Sequence, residues 1–244
     1  MVARITVALL LTLVLASCSD DAGDASSLSA NGTNGYQFLE QGQFRAALIE
    51  GRNAIKSAPS DPAGYVLLAS ISNTLGQFRQ SLGALEPLAE NSNDPDLLFA
   101  LADAYFGSRK FRSAAQLLED HGERLESEDG ARFHNLSAKI DRNLRDLPAA
   151  RAHYEAALAA EPGDVEARLG ITGIEWATNN RGSAQDLLRE ILQDHPANVD
   201  ALVARASFAL QSDDIDAAES SLSSALATLP NTDIFTPQRI EILV

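Results

Sequence analysis

The side chains able to do chemistry are few in this 244-residue sequence. Four histidines, His121, His134, His153 and His195, stand well apart, and none has metal-ligand spacing to another. They read as helix-surface or groove-packing residues, and no metal or other cofactor is expected. There is no His-Glu-x-x-His, no glycine-rich phosphate loop and no Gly-x-Ser-x-Gly elbow. Carboxylates are plentiful, but helix faces and turns account for them by solvation and capping. No catalytic residues are therefore assigned, and a site shared between distant segments is left open. Binding chemistry is better represented. Arg132, Lys139 and Arg142 form a basic cluster in a chain of net charge −15, and Lys139 is one of three lysines. Spacings of three, four and seven put Asn135, Lys139 and Arg142 on one helix face, with Asn143 beside them. Phe99 and Phe106 precede this cluster and Trp176 follows it. Arg and Lys would take a carboxylate or an acidic segment, Asn would bond a peptide backbone, and the aromatics would add apolar contacts. A plainer alternative stands beside this one: a solvated basic face paired to neighbouring acids, with Trp176 packed between elements.

The elements that must position these residues repeat. Pro162, Pro196 and Pro230 are 34 residues apart, and so are Ala150, Ala184 and Ala218. In 151–164, Tyr154, Ala157 and Leu158 make one apolar stripe at helical spacing, and Pro162-Gly163-Asp164 stops that helix and caps the next. Residues 186–198, 220–232 and 50–61 follow the same grammar. A second marker is an apolar residue followed three positions later by a small one: Phe44/Ala47, Phe78/Ser81, Phe111/Ala114, Leu147/Ala150 and Ile215/Ala218. Arg181/Ala184 fits only at the small position. A small side chain is needed where two helices of a hairpin cross closely. The expected fold is therefore all-α, an α-α superhelix of helical hairpins.

On these residues the sequence resembles the tetratricopeptide repeat family, whose period is 34 residues. The matching positions include Leu101, Ala102, Tyr105, Phe111 and Ala114; Ala138, Ala150, Tyr154, Ala157 and Pro162; and Ala206, Ala218, Leu222, Ala225 and Pro230. About six units are placed, at 28–61, 62–94, 95–130, 131–164, 165–198 and 199–232, within a solenoid taken as 36–232. The first unit lacks a clear start, the second and third lack the terminal proline, and 122–130 reads as an acidic, Gly-bounded insertion. The resemblance implies that the first helix of each unit lines a concave groove. It places Phe99, Phe106, Arg132, Asn135, Lys139, Arg142, Asn143 and Trp176 in or beside that groove as candidate partner contacts. It also implies a protein or peptide partner and no enzymatic activity. The basic chemistry is similar to the carboxylate clamp of some chaperone-binding members, although the residue order differs.

The first residues carry a different signal. Arg4 precedes an apolar run, Ile5–Leu15, too short for an ordinary membrane span, and Leu15-Ala16-Ser17-Cys18 resembles a bacterial lipobox. That resemblance makes 1–17 a lipoprotein signal peptide and Cys18, the chain's single cysteine, the lipidated residue. A plain signal peptide with an incidental cysteine is the alternative. Ser19 rather than Asp after Cys18 favours the outer membrane by analogy with enterobacterial sorting. Residues 18–35 are rich in Ser, Gly, Asn and Asp and read as a flexible tether with a reach of roughly 20–25 Å. The periplasmic side of the envelope follows as the expected location.

The acidic excess argues against nucleic acid and against direct docking on anionic lipid. At the other end, Thr236-Pro237 reads as a helix start, so 233–244 is taken as the start of a seventh unit or a C-terminal helix. The expected function is a membrane-anchored periplasmic scaffold in an envelope assembly, such as exopolysaccharide export or PEP-CTERM-type sorting. Pilotin-like and outer-membrane-assembly lipoproteins are alternatives. So are a glycan-binding solenoid, in which Trp176 and Phe106 would matter most, and the non-catalytic N-terminal part of a larger envelope enzyme.

Overall fold

The computed structural model describes residues 34–229. The signal peptide, Cys18, nearly all of the tether and the expected seventh unit lie outside the described residues. Within them every element is a helix. The helices pair into six hairpins: α1 (34–40) with α2 (Phe44–Ser57), α3 (Ala63–Thr74) with α4 (Phe78–Ala89), α5 (Pro95–Gly107) with α6 (Phe111–Asp120), α8 (Gly130–Leu144) with α9 (Leu147–Ala160), α10 (Val165–Ala177) with α11 (Arg181–Asp194), and α12 (Val199–Leu210) with α13 (Ile215–Thr228). One extra helix, α7 (Gly122–Glu128), follows α6. Among the described residues no helix is long and apolar enough to cross a membrane.

Each hairpin turns by one backbone device. Gly42, Gly76, Arg109, Arg145, Asn179 and Asp213 all take φ between 58° and 71°. In each, the following amide bonds back five residues, as Gln43 N–H does to the Phe38 carbonyl and Asp146 N–H to Asp141. This is the Schellman closure of a helix end. The second helix then starts at Phe44, Phe78, Phe111, Leu147, Arg181 or Ile215, the first members of the marker pairs. The small residue three positions later (Ala47, Ser81, Ala114, Ala150, Ala184 or Ala218) is at most 2% exposed. The close crossing expected from sequence is therefore present in every unit. First helices start by capping: Asp94, Asp129, Asp164 and Asn198 each accept a hydrogen bond from the backbone N–H three residues on.

One local expectation is corrected, and the insertion gains a structure. Residues 34 and 35, taken as the end of the tether, are helical, and Gly35 is buried. A methyl group at Gly35 would overlap the Leu67 side chain, so its glycine is a packing choice rather than a linker residue. The acidic insertion is mostly helical. It holds α7, which docks on α8 through Leu125, fully buried in a cluster with Phe99, Leu118, Leu136 and Ile140.

The units stack through their first helices. Contacts run from α3 to α5, α5 to α8, α8 to α10 and α10 to α12. These helices form the inner wall of an all-α repeat superhelix.

Candidate functional site

The inner wall is where α8, α10 and α12 come side by side. Between them lies a groove of about 480 Å³ bordered by Lys139, Arg142, Glu166, Gly173, Asp200 and Phe208. Asn135, Lys139 and Arg142 do share one face of α8, and that face is turned toward α10. Asn135 Nδ2 donates to the Asp164 carboxylate at 2.8 Å, Lys139 Nζ lies 2.5 Å from Glu166 Oε1, and Arg142 reaches across α10 to Gly173. On the other side, Arg132 donates to the Asp103 carboxylate of α5 at 3.2 Å and lies 4.3 Å over the Phe99 ring.

Most of this cluster is therefore engaged within the protein. Arg132 and Lys139 are half-exposed and ion-paired. Asn135 is buried and serves the start of the next unit rather than an external backbone. Asn143 bonds the Lys139 carbonyl of its own helix. Arg142 differs from these: it is exposed, lines the groove, and has no ion pair among the described residues. Asp103 sits on the same strip. Its side chain is 39% exposed, so enclosure by the groove wall is partial; that desolvation pushes its carboxyl up from the ordinary value, while Arg132 and Lys139 pull it down.

The three aromatic candidates differ in burial: Phe99 and Trp176 are buried, and Phe106 is half-buried. Phe99 is 1% exposed and belongs to the α5–α8 core. Phe106 packs edge-on against Phe111 with ring centroids 5.5 Å apart and has Lys139 Nζ 5.9 Å from its own centroid. Trp176 is stacked flat on Phe208 at 3.8 Å, its Nε1–H donates to Gln211 at 2.9 Å, and Arg181 covers its other face. This joins the fifth and sixth units and leaves Trp176 9% exposed. Phe208 was the missed aromatic; it borders the groove from α12.

The partner acids were also missed, although their spacing carries a signal. Arg132 is 29 residues from Asp103, Asn135 is 29 from Asp164, and Lys139 is 27 from Glu166. Neighbouring first helices thus bring polar residues together at slightly less than one period. Arg151 and Glu175 repeat the device between α9 and α10, and with Asn180 they hold the Glu175 carboxyl below its ordinary value. His134 and His153, far apart in sequence, are brought together on α8 and α9. Among the described residues no group of three or more His, Cys, Asp or Glu is placed to hold a metal.

The comparisons with known proteins agree with this architecture. Two family models described as tetratricopeptide repeat match residues 135–180 and 175–235. A curated relative, cellulose synthase operon protein C of Pseudomonas fluorescens (strain SBW25), is 26% identical over 186 residues; the match covers 72% of this chain and 14% of the relative. The chain thus spans only a small part of the length of such relatives. A thermophilic tetratricopeptide repeat protein of Thermus thermophilus superposes with a TM-score of 0.65 at 24% identity, covering 75% of this chain and 99% of that one. Pseudomonas aeruginosa pilF superposes with a TM-score of 0.62 at 16% identity, covering 89% and 97% of the two chains. Both superpositions speak to the fold.

Proposed function

We propose that this chain, a tetratricopeptide-repeat protein, is a lipid-anchored scaffold on the periplasmic side of a bacterial envelope, where it holds a protein partner in an assembly for exopolysaccharide export. Its fold is one that serves protein–protein interaction in general. The observation that carries the reading is the inner groove with Arg142 standing over it, exposed and without an ion pair among the described residues. Backed by paired Arg132 and Lys139, such a guanidinium suits a carboxylate or an acidic segment of the partner.

Two further supports concern place. The lipobox-like Leu15-Ala16-Ser17-Cys18 favours an anchor, and acyl chains add about 0.8 kcal/mol of membrane affinity per buried CH₂. Similarity to a protein named for a cellulose synthase operon favours the polysaccharide setting over pilus assembly. Labelling cells with a palmitate analogue tests the anchor: the protein takes up label, and Cys18→Ser removes it. Label retained in Cys18→Ser, or absent from both, overturns the lipidated form. Pull-down with Arg142→Glu tests the groove. Partner recovery falls about ten-fold or more if the guanidinium bonds a partner carboxylate, and unchanged recovery overturns the groove reading.

A further inference from the structure

Beside α13 lies a groove of about 640 Å³ with mostly apolar walls, lined by Leu210, Ile215, Ala218, Leu222 and Leu226 among others. Leu210 is 50% exposed and Ile215 59%. A contiguous apolar surface of this kind marks a docking face. One period earlier the same positions are covered. Trp176, Ala184, Leu188 and Leu192 stand 34 residues before Leu210, Ala218, Leu222 and Leu226. There α12 lies against α11. Phe208 of α12 stacks on Trp176, and Ala201 and Ala204 pack in one cluster with Leu188, which is 3% exposed. The face of α13 is thus the socket for a first helix, and α13 is the last helix among the described residues.

The sequence supplies such a helix in register. Along α12, Arg205 and Ser207 are exposed while Ala206 and Phe208 are buried. One period on, the exposed positions hold Arg239 and Glu241, and the buried ones hold Ile240 and Ile242. Polar and apolar residues therefore return where α12 needs them. The connection is also long enough. Ala201 stands seven residues after Asp194, the last of α11, and Phe235 stands seven after Thr228, the last of α13. Thr236-Pro237 is a helix-start pair. Thr236 falls four residues beyond the position matching Asn198, the cap of α12. The helix would start about one turn late and still include 239–242.

We propose that residues 236–244 dock on the face of α13 as a short first helix, with Ile242 against Leu210 in the place that Phe208 takes against Trp176. The occupant is this chain's own segment rather than a second copy or another protein. It covers an apolar edge that a repeat stack does not leave bare, and it adds one more first helix to the inner wall. The contact lies apart from the groove around Arg142, and its failure leaves the groove reading untouched.

The test is a disulfide trap in the full chain carrying Cys18→Ser, so that two introduced thiols are the only ones present. Leu210→Cys with Ile242→Cys closes a bond within one chain on mild oxidation, because packed side chains hold their Cβ atoms within bonding reach, about 3.5–4.5 Å. The product runs as a monomer. Leu144→Cys with Ile242→Cys, its first thiol on exposed Leu144 of α8, stays reduced. In hydrogen exchange, Ile242→Asp speeds the amides of α13 by about ten-fold or more and leaves those of α8 and α9 unchanged. No bond between positions 210 and 242, a bond that forms as fast from position 144, or α13 amides unmoved by Ile242→Asp overturns the proposal. A disulfide-linked dimer overturns it too, and makes the face an interface between two copies.

Discussion

The junction between the fourth and fifth units and that between the fifth and sixth obey the same rule and are filled differently. In the first, Tyr154 of α9 is 1% exposed and lies where Gly170 of α10 leaves space. A methyl group at Gly170 would overlap the tyrosine ring. One repeat later the corresponding residues are Leu188 and Ala204. Leu188 is buried and packs in one cluster with Ala204, and beside it a cavity of about 520 Å³ lies between α11 and α12, lined by Leu188, Leu192, Arg205 and Phe208 among others. Polar links differ too. Asn135–Asp164, Lys139–Glu166 and Arg151–Glu175 all tie the fourth unit to the fifth. The fifth is joined to the sixth by the Trp176–Phe208 stack and the Trp176–Gln211 bond. One period thus seats a tyrosine on a glycine at one junction and a leucine beside an alanine at the next.

The contrast can be broken at the tyrosine. Tyr154→Ala empties a filled socket and costs about 3–4 kcal/mol in urea unfolding, by analogy with other buried aromatic truncations. Gly170→Ala overfills it and costs about 1–3 kcal/mol. If either substitution costs less than the same change at an exposed helix position, the two residues do not form the knob and socket described. At the next junction, Leu188→Tyr sets a ring against the Ala204 methyl, the pairing that Gly170 avoids, and costs about 1–3 kcal/mol. No loss of stability there shows that the neighbouring cavity takes up the ring and that the glycine is not what admits a tyrosine.

The smallest effect is electrostatic and lies on the inner strip. Asp103 has a raised folded value, so the folded state holds its proton more tightly than the unfolded chain does. Its contribution to stability is full below the unfolded carboxyl value, about 4, and declines as pH rises through the raised folded value. Asp103→Asn lacks that decline. The stability difference between wild type and variant therefore moves in favour of the variant as pH rises from about 4 to 7. A difference that is flat across that range contradicts the enclosure of Asp103.

Much of the backbone was legible in the sequence because local chemistry writes it. The proline stops and the small residue three positions into each second helix placed the hairpins, and the second helices begin at the marker residues. The turn itself was less legible. Only Gly42 and Gly76 advertise a left-handed residue, whereas Arg109, Arg145, Asn179 and Asp213 adopt the same φ without a glycine. Helix α7 escaped notice since its seven residues hold one apolar side chain, Leu125, too few to show a period. At the candidate site, helical spacing correctly grouped Asn135, Lys139 and Arg142. It was silent on which helix they face, because their partners come from adjacent units. The aromatics misled for a related reason. Phe99 and Trp176 have the composition of a binding surface, but stacked first helices bury them between units. The histidine pair forms across a hairpin, where no short motif marks it.

The central claim is that the inner groove around Arg142, rather than the outer face of the second helices, receives the partner. Photo-crosslinking in intact envelopes tests it directly, with a photoreactive residue placed either at Asn143, beside the groove, or at Glu155, on the outer helix α9. The account predicts a specific protein adduct from position 143 that disappears when Arg142→Glu is added, and no such adduct from position 155. The same adduct from both positions, or an adduct from 143 that persists in Arg142→Glu, contradicts it.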